Sequence, residues 1–294
     1  MTISVGLLTF RRTELVCDVI RRISESSSTI DLIVINNNED FDVLSEISEL
    51  VNNKPNIRLI YHWERKNLGV PGGRKKIIDL CQTRHVILLD DDVDFESFDL
   101  IGQAVAKGFE GDERIKGIAF NIREFASRKH NRYEIPHKNK EIDMDKEFLT
   151  YLVIGAGCAL DVEAVRKVGN FSTDLGLYGF EEVDVAFRLI NSGGHILYKP
   201  DCEIFHKKSP DGRLPSLSVA SLMFKNRMTI ARKHLKLRYC WSCFIVRSVF
   251  FLYQTRSIRG YFKLLSSLRG APEREKFGDF FYEYIRSVRG FLWW

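Results

Sequence analysis

The chain of 294 residues is long enough for one large domain, or one domain with an appendage. At 45% hydrophobic and 28% charged, its composition excludes a disordered chain, and no stretch reaches the roughly 20 uncharged apolar residues of a membrane-spanning helix. The net charge of +5 conceals an asymmetry: residues 1–206 carry 26 Lys and Arg against 34 Asp and Glu, whereas residues 207–294 carry 18 against 5.

The first half alternates strand and helix. Residues 3–10 are a short apolar run suited to a buried parallel strand. No basic residue precedes that run, so no secretory leader is expected and the chain is placed in the cytoplasm. Residues 13–24 set Leu15, Val16, Val19, Ile20 and Ile23 at helical spacing. A second strand is predicted over 31–35, ending in Asn36-Asn37-Asn38-Glu39-Asp40. A helix over 41–51 and a strand over 57–61 follow. Residues 67–73, with three glycines and a proline, read as a turn-rich loop, and 74–81 as a helix. A fourth strand over 85–89 runs directly into Asp90-Asp91-Asp92. This order predicts an open parallel sheet with right-handed crossovers, which binds ligands beyond the carboxyl ends of its strands. The polar clusters after Phe10, Ile35 and Leu89 all fall at that edge.

Further along, helices are predicted over 98–110, 162–168 and 180–191, and strands over 115–121 and 196–198. Residues 151–160 are apolar with a Gly155-Ala156-Gly157 break. Residues 126–147 are charged and poor in core residues, and predict a long loop or hairpin. From 217 to about 289 the chain is predicted helical, basic and aromatic, a character that continues to Trp293-Trp294. The expected division is therefore 1–216 and 217–294.

Cys17, Cys81, Cys158 and Cys202 each stand alone among apolar residues, as buried thiols do. Cys240-Trp241-Ser242-Cys243 is a single CxxC, without the second pair that a zinc site needs. Three carboxylates at the end of an apolar strand repel one another. Either the turn is solvated, or a hard cation such as Mn2+ or Mg2+ lies among its oxygens. Gly179-Phe180-Glu181-Glu182-Val183-Asp184 sets three acids at a helix start. The helix dipole favours each by ~0.3–1 kcal/mol, enough to explain one or two of them. Three also make a platform for a general base. His206, after Glu203-Ile204-Phe205, is a candidate ligand or an ordinary surface or core histidine.

Taken in order, LTFRR (8–12), LIVINNNE (32–39), ERKNLGVPGGR (64–74), ILLDDDV (87–93), GAGCAL (155–160), VGNF (168–171), GFEEVDVAFRL (179–189) and GGHILYKPDCEIFHK (193–207) resemble the successive motifs of the family 2 glycosyltransferases. The resemblance covers roughly residues 3–235, including Lys225-Asn226-Arg227, which is similar to that family's terminal helix. It implies the GT-A fold, a Rossmann-like mixed α/β sheet, here with a basic helical extension, and an inverting enzyme. ILLDDDV is similar to the DXD motif, which implies Asp92 as the principal metal ligand. Asp90 and Asp91 would approach the metal or the nucleoside, their roles interchangeable. His206 would complete the metal site. GFEEVDV implies Glu182 as the catalytic base, with Glu181 and Asp184 as alternatives, because the family usually has Asp at that position. Thr9, Phe10 and Arg12 match a nucleotide-contacting loop, Asn36 stands where an aspartate usually faces the nucleobase, and Asn67 and Arg74 border the donor.

The implied reaction moves a sugar from a UDP- or dTDP-type nucleotide-sugar to a hydroxyl of a glycan or lipid-linked acceptor in cell-surface polysaccharide synthesis. Loop 126–147 is expected near that acceptor. The basic, aromatic tail suits an anionic membrane surface, which would place the enzyme on the inner face of the plasma membrane; the alternative is that its helices pack on the catalytic domain or on a second subunit. Two other functions are weighed. A sugar nucleotidyltransferase would carry a glycine-rich, lysine-containing loop after the first strand, and LTFRRTE is not one. Nucleic acid is not an expected partner, since the acidic body opposes it.

Overall fold

Strands β1 (Thr2–Thr9), β2 (Thr29–Asn36), β3 (Ile57–Trp63) and β4 (His85–Asp90) run parallel in the order β3-β2-β1-β4. Helices α1 (Thr13–Ser24), α2 (Leu44–Val51) and α3 (Gly69–Leu80) connect them. The computed structural model describes residues 2–209, 216–268 and 273–292. Successive side chains leave a strand on opposite faces. Leu32, Val34, Ile87 and Leu89 enter one core with Val16, Val19, Ile20 and Ile23 of α1. Ile33, Ile35, Val86 and Leu88 enter the other with Ile77 and Ile78 of α3. Burial on both faces is why these strands read as continuous apolar runs.

The rest of the sheet is mixed. It is built from β5 (Val93–Asp94), β6 (Ile115–Glu124), β7 (Phe148–Thr150), β8 (Gly157–Asp161) and β9 (His195–His206), with helices α4 (Phe98–Glu110), α5 (Val162–Lys167) and α6 (Glu181–Asn191). Strand β8 inserts between β4 and β6, antiparallel to both, and β9 lies parallel to β6. Strands β7 and β5 pair antiparallel with the two halves of β9. The order is β3-β2-β1-β4-β8-β6-β9-β5, with β7 on β9. The mixed sheet of the GT-A fold is observed. The all-parallel sheet expected from the first half holds for β1–β4 only.

Three expected boundaries are corrected. The 67–73 segment is not a loop throughout, because α3 begins at Gly69. Pro71 is tolerated there since first-turn N–H groups have no helical partner. Helix α2 starts at Leu44, because Phe41 and Asp42 form a turn that accepts from Asn36 Nδ2 (3.0 Å) and Tyr61 Oη (2.6 Å). Strand β9 runs on through Pro200 to His206.

The tail forms α7 (Ser216–His234), α8 (Leu237–Thr255), α9 (Ile258–Ser267) and α10 (Asp279–Ser287). It has no separate core. Phe224, Phe251 and Phe281 join the apolar cluster on the α3 side of the sheet. Helix α10 returns to the body, where Phe281 meets Phe187 at 5.2 Å and Tyr284 Oη donates to the Thr150 carbonyl (2.8 Å). Trp293-Trp294 lies outside the described residues. All six cysteines, the CxxC pair included, are free and buried. No described helix is long and apolar enough to cross a membrane.

Candidate active site

The parallel strands end level with one another. Thr9, Asn36 and Trp63 are in register across β1, β2 and β3, and Asp90 lies opposite Leu8. Beyond this edge the chain supplies two acidic groups of different character.

The first is the aspartate run. Asp90, Asp92 and His206 bring ligand atoms within 4.8 Å of one another. The antiparallel pairing of β5 with the end of β9 delivers His206, since Val93 pairs with it directly. His206 Nε2 lies 3.2 Å from Asp92 Oδ1, and its Nδ1 contacts Glu134. Burial alone would lower the His206 pKa, but Asp92 and Glu134 raise it to about 10. Asp92 is 2% exposed; its Oδ1 faces the His206 imidazole, whereas Oδ2 accepts from Ser209 N (2.9 Å). Asp90 and Asp92 beside one imidazole fit a hard divalent ion, which would take the place of the His206 proton. Asp91 turns instead to Arg12 (2.9 Å), whose same nitrogen lies 3.3 Å from Asp92. Burial raises Asp91 to about 7, against the pull of Arg12.

The second group heads α6. Glu181 is buried and paired with Arg74 (2.8 Å). Arg74 also reaches Asp90 (3.2 Å) and the Gly155 carbonyl (2.7 Å). A Cβ at Gly155 would press on this guanidinium at 2.8 Å, so the glycine in GAG makes room for the arginine. Burial works against the charge of Arg74, but Glu181 and Asp90 outweigh it and hold the group cationic. Glu182 forms no ion pair among the described residues. Burial and the neighbouring Glu181 charge hold its pKa well above the usual carboxylate range. The turn before it is strained: Phe180 has φ +70, in the left-handed region that side chains avoid. Such strain accumulates at functional sites.

Not every expected residue converges. Asn36 is 1% exposed and uses its whole amide internally: Nδ2 donates to Phe41 O and Tyr61 Oη, and Oδ1 accepts from Asn38 N and Nδ2. It orders the loop after β2 and has no polar atom left for a ligand. Asn67 Oδ1 accepts from Gly69 N (2.9 Å) and so starts α3. Thr9 is buried with its hydroxyl unpartnered, and Phe10 lies beneath the Arg11 guanidinium (5.1 Å). Asp184 is 2% exposed and held by Arg188 (2.6 Å) and His234 (3.3 Å). Its place is internal, tying α6 to α7. Asp184→Ala should therefore destabilise the fold by about 3–5 kcal/mol, the usual consequence of stripping one partner from a buried pair. Urea unfolding measures this, and a loss below about 1 kcal/mol would remove the structural role.

Glu134, which anchors His206 and Lys208 (2.9 Å), was not expected. It lies in the 126–147 segment, where neither periodicity nor motif marks it. Asn38 was also missed as a loop organiser: it accepts from Arg11 N (2.7 Å) and from Trp63 Nε1 through its carbonyl.

A mixed α/β sheet with an aspartate run at one strand end, bridged by an arginine to an acid-headed helix, defines a glycosyltransferase of the GT-A fold. The family described as Glycosyl transferase family 2 matches residues 4–169, and the chain belongs to that family. An uncharacterized protein of Haemophilus influenzae is 33% identical over 168 residues, covering 57% of this chain and 91% of that protein. The mannosyltransferase PcManGT from Pyrobaculum calidifontis, solved with GDP-Man and Mn2+, superposes with a TM-score of 0.62 at 13% identity, covering 92% of this chain and 76% of that one. S. aureus TarS 1–349, solved with UDP-GlcNAc, gives 0.63 at 12% identity, covering 92% and 82%. These two share the fold.

Proposed function

We propose that the enzyme moves a sugar, with inversion, from a nucleotide-sugar to a hydroxyl of a glycan or lipid-linked acceptor. The observation that carries this is Arg74, which joins Asp90 to Glu181 and so sets the metal-type cluster and the free Glu182 side by side. Asp92, Asp90 and His206 would hold Mn2+ or Mg2+, the former being the ion in the Pyrobaculum enzyme. When bound, that ion offsets charge growing on the departing nucleoside diphosphate. Arg12 and Asp91 border the donor, with Thr9, Phe10, Asn67 and Arg74 around them, and Asn36 shapes the same loop from beneath. Glu182 takes the proton of the attacking hydroxyl, its raised pKa suiting a base. One base without a protein nucleophile corresponds to inversion. Residues 1–216 would form the catalytic unit and 217–294 its helical appendage.

Thermal shift with UDP-, dTDP- and GDP-sugars, with and without Mn2+, tests the donor. A ligand at about 100 times its Kd stabilises by about 2.7 kcal/mol, a shift of several degrees. At least one nucleotide-sugar should give that shift only with Mn2+. No response to any of them would discard the proposal.

The tail supports attachment to an anionic inner-leaflet membrane. Trp241, Ile245, Val249 and Tyr253 recur every fourth residue on α8 and are 58–80% exposed, forming one apolar stripe. Ile258 and Phe262 of α9 are exposed as well, and so are Arg238, Arg256, Arg259 and Lys263. Basic residues beside an exposed apolar face match an interfacial helix. The protein should float with phosphatidylserine vesicles, and Ile245→Glu with Val249→Glu should abolish flotation. Undiminished flotation of that double variant would rule out this face.

A further inference from the structure

A buried carboxylate stands behind the histidine of the metal-type cluster. Glu134 is 6% exposed, and both of its oxygens are engaged. Oε1 meets Nδ1 of His206, and Oε2 lies 2.9 Å from Lys208 Nζ. The backbone after β9 brings both partners to it. Lys207 N and Ser209 N donate to the carbonyl (2.9 Å) and to Oδ2 (2.9 Å) of Asp92. Between them Lys208 takes φ +57, in the left-handed region, and its side chain goes to Glu134 instead. The His206 imidazole therefore lies between two carboxylates, with Nε2 on Asp92 and Nδ1 on Glu134.

The 126–147 segment does not depend on this charge for its anchorage. Ile135 is buried in the core, the Thr150 hydroxyl donates to the Pro136 carbonyl, and His137 Nε2 donates to the Val288 carbonyl (3.1 Å) beyond α10. The three residues after Glu134 are thus fixed by apolar burial and neutral hydrogen bonds. A buried carboxylate is a costly addition to them, so its charge calls for a use beyond anchoring. That use is at the imidazole. The two ring nitrogens are distinct, and only one without a proton can bind a cation. An ionised carboxylate accepts only, so Nδ1 presents its N–H to Glu134, and the ring turns Nε2 toward Asp92 Oδ1 (3.2 Å). We propose that Glu134 is a positioning residue of the metal-type cluster: it holds the His206 ring by Nδ1–H, so that Nε2 faces Asp90 and Asp92 and supplies the lone pair for a divalent ion. Partners behind a ligating histidine fix its tautomer and ring orientation in metal sites generally. The inference rests on the metal reading of the cluster in the proposed function.

Glu134→Gln tests it, because Lys208 dictates how the amide sits. The ammonium takes the amide oxygen, so the NH2 group faces Nδ1, the ring proton moves to Nε2, and the ligand lone pair is lost. Calorimetric titration of the full chain with Mn2+ should show affinity lower by about 10–100-fold. Adding Lys208→Met frees the amide to turn its oxygen to Nδ1–H, so the double variant should bind Mn2+ more tightly than Glu134→Gln alone. Heteronuclear NMR of the metal-free protein reads the same switch. The wild type should show a slowly exchanging Nδ1–H of His206, assigned by its absence from His206→Asn. The signal should vanish in Glu134→Gln and return with Lys208→Met, whereas a loss of stability alone does not move a proton between ring nitrogens. Mn2+ affinity within about twofold of wild type in Glu134→Gln overturns the proposal, as does a signal that persists in that variant. The wild-type signal needs no variant of Glu134, so it decides even where Glu134→Gln does not fold. A wild type that binds Mn2+ without the signal overturns this inference alone. One that shows the signal but binds no Mn2+ overturns the metal site of the proposed function, and this inference with it.

Discussion

Asp92→Ala is expected to abolish sugar transfer and the Mn2+ dependence of nucleotide-sugar binding together. Its carboxylate is buried, and its Oδ1 faces the His206 imidazole in the cluster with Asp90. Loss of one group that offsets developing charge typically costs about 10²–10³-fold in turnover, and loss of the ion it holds costs more. The alanine also frees Ser209 N and one side of Arg12, so part of its effect could be structural. Asp92→Asn separates the two. The amide keeps an oxygen for Ser209 N but gives up the charge. Calorimetric titration with Mn2+ is the direct reading: both variants should lose the ion, while only the alanine should disturb the 207–209 backbone. Mn2+ affinity within about twofold of wild type in Asp92→Asn would remove Asp92 as principal ligand.

Much of this site was legible because its signals are local. An apolar run buried on both faces announces β1–β4, and polar residues can follow it only where the strand leaves the core. The sheet edge bearing Thr9, Asn36 and Asp90 was therefore visible without coordinates. What was hidden depends on contacts across long separations. Strand β8 slots between β4 and β6 by pairing residues 68 to 76 positions apart in the chain with β4. Glu134 reaches His206 from an aperiodic segment, held there by Lys208 as well as by the imidazole. Motif position also does not tell which neighbours engage a side chain. Asn36 and Asp184 sit at the expected positions, yet their polar atoms are engaged by Tyr61, Phe41 and Asn38, or by Arg188 and His234.

The same accounting separates the three acids of α6 and leads to the sharpest kinetic expectation. Asp184 is neutralised inside the fold and Glu181 is neutralised by Arg74, so Glu182 is left without a cation at contact distance. A carboxylate that is half-buried beside another carboxylate holds a proton more tightly than one in water. That raises its strength as a base toward an acceptor hydroxyl. Glu182→Gln keeps the shape and removes the basicity, so transfer should fall by about 10²–10⁴-fold. Nucleotide-sugar and Mn2+ affinity should stay near wild type, because neither Arg12 nor the Asp90–His206 cluster loses a partner. The fall should therefore appear in kcat and leave the donor KM nearly unchanged. Glu181→Gln should behave differently: it strips Arg74 of a buried partner, so it should lower stability and disturb Asp90 as well. If Glu182→Gln turns over near the wild-type rate, the proton goes elsewhere, and Glu181, released from Arg74, becomes the residue to test.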